Sequence, residues 1–186
     1  ETMQVFVMDA DGSNRKCVSN VKDGVDGFVI SPDEKKIAFI SQVKYGENVT
    51  DKHPDLKKSS ARIIDDMMYR HWDEWVTTIP HTFVGDFDGS AITNVLDLLE
   101  GEQYEAPMKP FGGIESIAWA PDSESLIYVS RKKVGKEYSL STNSDLYQYF
   151  VADGRTVNLT EGMMGYDTCP AFSHDGSKLA WLSMEH

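Results

Sequence analysis

The residue types with the clearest capacity for chemistry lie together in one six-residue segment, Arg-His-Trp-Asp-Glu-Trp. Within it, the carboxylates of Asp73 and Glu74 could bind a cation. Trp72 and Trp75 flank these acids and could form the walls of such a site, and Arg70 adds a third charged group. A hydrogen bond between a cation and a carboxylate is charge-assisted and gains strength where water is excluded. These five residues are therefore the candidate binding residues.

The same segment also has a purely structural interpretation. The two indoles could anchor it to the rest of the protein while both acids remain solvated. His71, taken alone, is more typical of a hydrogen-bonded packing residue than of a metal ligand or a general base. The composition of the segment leaves both interpretations open.

The segment ends a longer stretch with helical periodicity. Apolar and aromatic side chains recur three and four residues apart over Ala61–Trp75, which is typical of one face of an α-helix. Ser59 or Ser60 could cap its amino end. The sequence therefore predicts a helix over Ala61–Trp75. Its predicted apolar face consists of Ile64, Met67, Met68, His71 and Trp75.

Three copies of one motif indicate the scaffold that must position this helix. They are SPDEKKIAFIS at residues 31–41, APDSESLIYVS at residues 120–130 and SHDGSKLAWLS at residues 173–183. The third position is always Asp, and the ninth is always aromatic, namely Phe39, Tyr128 or Trp181. Because internal repetition fixes an architecture before any single residue is interpreted, the motif takes precedence over local patterns.

Each copy predicts a tight turn between two β-strands. Pro presets φ and Asp can bond its own backbone in the turn, while the flanking runs are β-branched or aromatic. A second repeat, VMDADG, VGDFDG and YFVADG, ends each time in Asp-Gly, a strong hairpin signal. Two hairpins make a four-stranded unit, and tandem units of this kind form the blades of a β-propeller.

The repeats divide the chain into two complete units and two halves. We expect a half blade at 4–20, a blade at 25–99 with an insertion at 42–81, a blade at 113–160 and a half blade at 167–183. The predicted fold is all-β, a partial β-propeller of four-stranded antiparallel blades, about three blade equivalents, with one helical insertion. Because propellers typically close with four to eight blades, residues 1–186 are predicted to be a fragment of a propeller domain. Open blade edges predict self-association.

The composition argues against several classes of partner and ligand. A formal net charge of −12 argues against nucleic acids and anionic membranes as partners. Cys17 and Cys169 are too few for a disulfide framework or a metal site. The turn after Asp9 resembles the start of a calcium loop, but Asn20 stands where that loop needs Glu. We therefore expect no metal and no cofactor, and we expect the run Arg131-Lys132-Lys133 to be a solvated turn.

The stretch ARIIDDMMYRHWDEW, placed among blades with Ser-Pro-Asp hairpins, resembles the prolyl oligopeptidase family of serine peptidases. The similarity is greatest to the dipeptidyl-peptidase and acylaminoacyl-peptidase branch, whose bacterial members carry a similar Tyr-Arg-His-Trp-Asp-x-Trp segment. The resemblance covers essentially the whole chain. The Ser-Pro-Asp hairpins alone are less specific, because TolB-like propellers share them.

The resemblance implies an N-terminal propeller that caps a C-terminal α/β-hydrolase domain with a Ser-Asp-His triad. It implies that the propeller gates access for short peptides, and that acids on a propeller excursion bind the free amino terminus. By analogy Asp73 and Glu74 would take this role, with Trp72, Trp75 and Arg70 around them. No Gly-x-Ser-x-Gly occurs in the sequence, so we assign no catalytic residue and expect no hydrolysis by this chain alone. The parent protein is expected to be periplasmic or secreted, with the cytoplasm as the alternative.

A second hypothesis comes from another functional class. The chain could belong to a non-enzymatic, TolB-like propeller that binds a protein partner through its central face. The Ser-Pro-Asp hairpins fit this hypothesis equally well, whereas an aromatic and acidic insertion in one blade favours the peptidase.

Overall fold

Antiparallel β-strands follow one another along the chain, and the computed structural model describes them over residues 2–184. A first hairpin consists of β1 (Phe6–Val7) and β2 (Lys16–Cys17). The first four-stranded sheet consists, in spatial order, of β3 (Gly27–Ile30), β4 (Lys36–Lys44), β7 (Thr78–Phe87) and β8 (Ile92–Asp97). The excursion between β4 and β7 contains helix α1 (Val49–Lys52) and the hairpin strands β5 (Arg70–His71) and β6 (Glu74–Trp75).

The second half of the chain repeats this plan. A 3₁₀-helix (Ile114–Ser116) leads into a second four-stranded sheet of β9 (Ile117–Trp119), β10 (Ser125–Ser130), β11 (Asp145–Phe150) and β12 (Thr156–Asn158). Helix α2 (Gly135–Leu140) lies between β10 and β11, and a last hairpin consists of β13 (Tyr166–Phe172) and β14 (Leu179–Met184). In both four-stranded sheets the strands pair in sequence order, as in a propeller blade.

The repeated turn motif forms the tight turn that the sequence predicts. The Ser31 hydroxyl donates to Asp33 Oδ1 at 2.6 Å, and the Ser173 hydroxyl donates to Asp175 Oδ1 at 2.6 Å. The Ser173 hydroxyl, together with the backbone N–H and hydroxyl of Ser177, lowers the pKa of Asp175 to about 2. In the middle copy, which begins with alanine, the aspartate accepts a hydrogen bond from the backbone N–H two residues on. The same local chemistry therefore closes each hairpin.

The aromatic residues at the ninth position of the motif occupy equivalent places. In each unit the hairpin closes on an equivalent apolar pair, namely Ile30 with Ile37, Trp119 with Leu126 and Phe172 with Leu179. Phe39 then stacks on Phe83 of β7 with ring centroids 5.3 Å apart, and Tyr128 stacks on Tyr147 of β11 at 5.4 Å. The predicted equivalence is confirmed for Phe39 and Tyr128, whereas opposite Trp181 a bulge between Thr168 and Ala171 interrupts the pairing of β13 with β14.

Each of these aromatics faces the unit that precedes it in the chain. Phe39 shares a buried cluster with Val5 and Val18, which adjoin the first hairpin. Tyr128 shares a buried cluster with side chains of β4, and Trp181 packs against side chains of β10. Successive units therefore stack face to face.

The opposite faces of the same strands support this stacking. Ile40 and Val129 alternate with the aromatics along β4 and β10 and are 3% and 1% exposed, because the following unit covers them. Leu182 holds the equivalent position in β14 and is 64% exposed, since no further sheet lies beyond β14 in the described part of the chain. The partial β-propeller predicted from the sequence is confirmed, while the boundaries of its units stay predictions.

The helix predicted over Ala61–Trp75 is wrong. Its first part forms no regular secondary structure, and the hairpin β5–β6 follows. The predicted apolar face is not a common face, because Met68 is buried whereas Ile64 and Met67 are exposed. Adjacent β-branched residues and a pair of aspartates lower the helix propensity of this stretch.

The insertion carries its helix elsewhere. Helix α1 begins after Asn48, whose side chain accepts a hydrogen bond from the backbone N–H of Asp51 at 3.0 Å in a capping box. The ladder between β4 and β7 reaches the pair Lys44 and Thr78, where the chain leaves the sheet and returns to it. Within residues 2–184 no helix has the length and apolar character needed to cross a membrane.

Truncation of a motif aromatic should destabilise the fold strongly. We expect Phe39→Ala to lower the free energy of unfolding by about 3–5 kcal/mol, because it leaves a cavity between two stacked units. The matched control Leu182→Ala removes an exposed side chain and should stay within about 0.5 kcal/mol. Urea unfolding followed by circular dichroism measures both values, and equal losses would contradict the stacking.

The exposed faces at the two ends of the stack should drive self-association of the isolated chain. Phe28 and Ile30 on β3, and Leu182 and Met184 on β14, are large exposed apolar side chains on sheet faces. Such patches and bare edges promote contacts between copies. We expect light scattering to show a mass that rises with protein concentration, and Leu182→Lys to reduce that rise. The control Leu140→Lys, on α2, should leave it unchanged; a monodisperse monomer at all concentrations would refute this prediction.

Candidate functional site

The candidate residues lie on the two-stranded hairpin at the end of the excursion. Arg70 pairs with Trp75 and His71 pairs with Glu74, which leaves Trp72 and Asp73 as the turn. Trp72 has a φ of 50°, and a positive φ at the first turn residue is a feature of the turns that join two-residue hairpins. A bulky residue in this region costs about 1–3 kcal/mol, so its surroundings must hold it there.

One face of this hairpin is a stack of aromatic and cationic side chains. The Arg70 guanidinium lies 4.9 Å from the ring centroid of Trp75, and the Arg62 guanidinium lies 4.5 Å from the same centroid. Tyr69 packs against Trp75 with centroids 6.3 Å apart. These cation–π contacts stabilise the hairpin internally.

The turn of the hairpin presents an exposed aromatic pair. Trp72 is 74% exposed and Phe111, from the loop before the second sheet, is 77% exposed. Their rings meet edge to face at 73° with centroids 5.7 Å apart. The contact links the hairpin turn to a segment outside the excursion.

A cleft of about 400 Å³ lies beside the hairpin. Its walls come from β4, from the hairpin and from the loop that carries Phe111. The lining residues are Gln42, His71, Trp72, Asp73, Glu74, Trp75, Val76, Thr78, Lys109 and Pro110. The structure thus brings four of the five candidate residues to one cleft, while the side chain of Arg70 lies on Trp75 and donates to the Asp73 carbonyl oxygen at 3.3 Å. Their role in binding stays a prediction.

The two candidate carboxylates are available to a ligand. Asp73 and Glu74 are exposed, and within residues 2–184 neither side chain forms an ion pair or a hydrogen bond with another residue. Lys109 lines the same cleft. The cleft therefore combines two acids, one ammonium and an indole wall.

A second cleft lies deeper in the excursion. It has a volume of about 420 Å³ and shares Trp75 with the first cleft. Asp65, Asp66 and Tyr45 are among its lining residues. Burial, and then the charges of Asp66, Asp65 and Glu105, raise the pKa of the Tyr45 hydroxyl to about 12, so this phenol stays a neutral hydrogen-bond donor.

Glu105 supports the site and is not among the residues predicted from the sequence. It is 3% exposed, and its Oε1 lies 2.7 Å from Nε2 of His71. His71 is therefore a hydrogen-bonded packing residue, which is the interpretation that the sequence favours. Burial, followed by the charge of Glu105, raises the pKa of Tyr138, whose hydroxyl donates to Glu105 Oε2 at 3.2 Å. No periodicity or motif marks Glu105, because it stands between two repeat units.

The basic run Arg131-Lys132-Lys133 is not the solvated turn predicted from the sequence. The Arg131 guanidinium lies 4.4 Å from the ring centroid of Tyr138, and Lys132 Nζ lies 4.9 Å from that of Tyr147. Lys132 also forms an ion pair of 2.5 Å with Glu102. Two of the three cations are therefore packed against aromatic rings beside the site.

Two curated bacterial relatives decide the family. The chain is 56% identical over 162 residues to dipeptidyl-peptidase 5 of Porphyromonas gingivalis, a match that covers 87% of this chain and 24% of that protein. It is 49% identical over 183 residues to dipeptidyl-peptidase 5 of Porphyromonas endodontalis, with 98% of this chain and 26% of that protein covered. The chain belongs to a dipeptidyl-peptidase family. It spans about a quarter of the length of these relatives.

The further comparisons give a fungal relative and a solved structure, and no family model. A probable dipeptidyl-peptidase 5 of Aspergillus niger is 29% identical over 165 residues, which cover 75% of this chain and 22% of that protein. No protein-family model matches the chain. Among solved structures, TolB from Acinetobacter baumannii is similar over 98% of this chain and 43% of its own chain, at 18% identity and with a TM-score of 0.39. The dipeptidyl-peptidase membership predicted from the hairpin segment is confirmed.

The contact between Trp72 and Phe111 should be measurable. A double-mutant cycle of Trp72→Ala and Phe111→Ala should give a coupling energy of about 0.5–1.5 kcal/mol in urea unfolding, which is the range of an edge-to-face aromatic pair. Trp72→Ala combined with Phe6→Ala, on the first hairpin, should be additive. A coupling of zero between Trp72 and Phe111 would contradict the geometry of the hairpin turn.

Proposed function

We propose that this chain is the propeller portion of a serine dipeptidyl peptidase and that its excursion hairpin binds the free amino terminus of a short peptide. The observation that carries this proposal is a pair of carboxylates, Asp73 and Glu74, that have no ion-pair or hydrogen-bond partner within residues 2–184 and lie on an aromatic cleft in a chain of the dipeptidyl-peptidase family. An enzyme that removes two residues at a time must recognise the end of its substrate. A charged amino group is the feature that distinguishes that end from any internal position.

Asp73 and Glu74 together outweigh the single ammonium of Lys109 that lines the cleft, so the cleft favours an ammonium over a neutral group. Two unit charges 4 Å apart attract by about 1 kcal/mol in bulk water and by about 4 kcal/mol at the effective dielectric near a protein surface. Asp73 and Glu74 are exposed in this chain, so they would bind an ammonium weakly here. Covering the cleft with another part of the parent protein would strengthen the contact by excluding water.

The cleft also offers an apolar surface beside the carboxylates. Trp72, Trp75 and Pro110 line it, and they would contact the first side chain of a peptide whose amino group lies on Asp73 or Glu74. Such a peptide would be held at two points. The cleft would then gate access and fix the amino end of the peptide.

The hydrolytic step would take place outside this chain. The sequence contains no Gly-x-Ser-x-Gly, so the proposal places the serine nucleophile on an α/β-hydrolase domain elsewhere in the parent protein. The propeller portion would contribute substrate binding and no catalytic residue.

A second candidate function is protein binding. The exposed pair of Trp72 and Phe111 would suit a partner protein, since exposed aromatic patches often mark interaction surfaces. In that case the acids of the hairpin would have no preference for a free amino terminus. The following experiment distinguishes the two functions.

Removal of one hairpin charge should weaken the recognition of free amino termini. In the full-length protein, we expect Glu74→Gln or Asp73→Asn to lower kcat/KM for free-amino dipeptide substrates by about 10-fold or more, because a hydrogen bond to a charged group contributes about 1.5–3 kcal/mol. Substrates with a blocked amino terminus should be nearly unaffected. Steady-state hydrolysis of matched chromogenic substrates measures the difference.

The matched control is Asp55→Asn, which neutralises an exposed acid of the same excursion that does not line the cleft. It should change neither substrate class. Equal losses for free and blocked substrates would show that the hairpin acids hold the fold instead of the ligand, and no loss for either would refute the proposed function.

A further inference from the structure

The backbone around Glu105 is fixed between the two four-stranded sheets. The Glu105 carbonyl oxygen accepts from the Ser130 hydroxyl of β10 at 2.8 Å. Ala106 donates its N–H to the Pro80 carbonyl at 2.9 Å and accepts from the Thr82 hydroxyl at 3.0 Å, and both partners belong to β7. Ala106 is fully buried. The segment is therefore a fixed point of the scaffold that both sheets hold.

The side chain of Glu105 extends from this point to strand β5 of the first excursion and to helix α2 of the second. Its Oε1 lies 2.7 Å from Nε2 of His71 on β5, and its Oε2 accepts from the Tyr138 hydroxyl on α2 at 3.2 Å. The Arg131 guanidinium covers the Tyr138 ring at 4.4 Å. A buried carboxylate is costly unless both oxygens have partners, and here both do. One buried acid thus joins the excursions of two neighbouring blades.

The hairpin depends on such contacts for its orientation. Its strands are two residues long, and a two-stranded hairpin of this size is marginal by itself. Two hydrogen bonds hold the excursion outside the hairpin, one from Gly135 N–H to Asp66 Oδ1 and one from Gly46 N–H to Gln103 Oε1, each at 2.9 Å. At the exposed turn of the hairpin, Trp72 contacts Phe111. The contact between His71 and Glu105 holds the hairpin strands from the buried side.

The position of His71 connects this contact to the cleft. His71 is adjacent to Trp72 in sequence and directly opposite Glu74 in the hairpin, so the side chains of His71 and Glu74 share a face. A contact that fixes His71 therefore also fixes the backbone from which the Glu74 side chain extends. Glu105 itself does not line the cleft.

We propose that Glu105 is a positioning residue for recognition of the peptide amino terminus, acting through His71 to fix the hairpin that carries Asp73 and Glu74. The inference rests on the proposed function and adds a residue to it that does not touch the ligand. It predicts that the loss of the Glu105 carboxylate changes substrate binding more than turnover.

The experiment uses the full-length protein and compares Glu105→Ala with Glu105→Gln. The amide oxygen of glutamine can still accept a hydrogen bond from His71 Nε2, so Gln should retain most of the positioning while Ala removes it. We expect Glu105→Ala to raise KM for a free-amino dipeptide substrate about 10-fold with kcat changed less than about 2-fold, because small misplacements of a binding group weaken binding strongly. Glu105→Gln should stay within about 2–3-fold of the wild type in KM. Glu100→Ala, which removes an exposed acid that does not line the cleft, is the control and should also stay close to the wild type.

Hydrogen exchange gives a second measurement that does not depend on the proposed function. The Val76 N–H donates to the Tyr69 carbonyl at 3.0 Å across the base of the hairpin. In Glu105→Ala its exchange should become about 10-fold faster or more, while amides of β10 keep their protection. If Glu105→Ala does not fold, His71→Phe tests the same contact from the hairpin side.

The outcomes separate the two proposals. Faster exchange in the hairpin together with a raised KM supports the inference. Unchanged exchange in the hairpin overturns it, and so does a KM that stays unchanged in Glu105→Ala while Glu74→Gln raises it. Faster exchange with no effect of Glu74→Gln on any substrate would refute the proposed function and leave Glu105 as the residue that holds the hairpin.

Discussion

The architecture depends on face-to-face stacking of successive β-sheets through one aromatic position of the repeat. Phe39, Tyr128 and Trp181 each face the preceding unit, and Ile40 and Val129, which alternate with the first two, face the following one. Because side chains alternate between the two faces of a strand, a unit of this kind must be covered on both sides. This requirement explains why β10 is buried throughout and β4 is buried over residues 37–41, whereas β14 presents large apolar side chains to solvent. It also explains why each hydrophobic core lies between two successive sheets and not within a single unit.

The stacking brings together loops that are distant in sequence. The excursion between β4 and β7 and the shorter one around α2 leave their sheets at the same junction, between the second and third strands. In neighbouring blades these junctions lie at the same end, so the two excursions meet. Glu105 lies between them and bonds to both, through His71 and Tyr138. The candidate site is therefore built on a rigid scaffold, as is usual for binding loops.

The sequence predicted the scaffold because the signals for it are local and repeated. Turn chemistry at Asp33 and Asp175, and the regular placement of aromatics, depend on a few adjacent residues. The excursion was predicted less well. Its apolar spacing fits a helix as well as a hairpin, and the outcome depends on long-range contacts such as that of Trp72 with Phe111. Glu105 could not be predicted, because its importance arises from what two sheets and two loops place around it.

The most direct test of the account is to observe a peptide binding to the hairpin. The chain has four tryptophans, of which Trp72 and Trp75 lie on the hairpin while Trp119 and Trp181 lie in the stacked sheets. Because the exposed carboxylates bind an ammonium weakly, the titration extends to millimolar dipeptide, at a protein concentration where light scattering shows the monomer. A free-amino dipeptide should then shift the indole N–H signals of the hairpin pair in NMR spectra and leave the sheet pair unchanged. The same dipeptide with an acetylated amino terminus should cause no shift. Equal shifts with both peptides, or shifts confined to the sheet tryptophans, would contradict the claim that this hairpin recognises a free amino terminus.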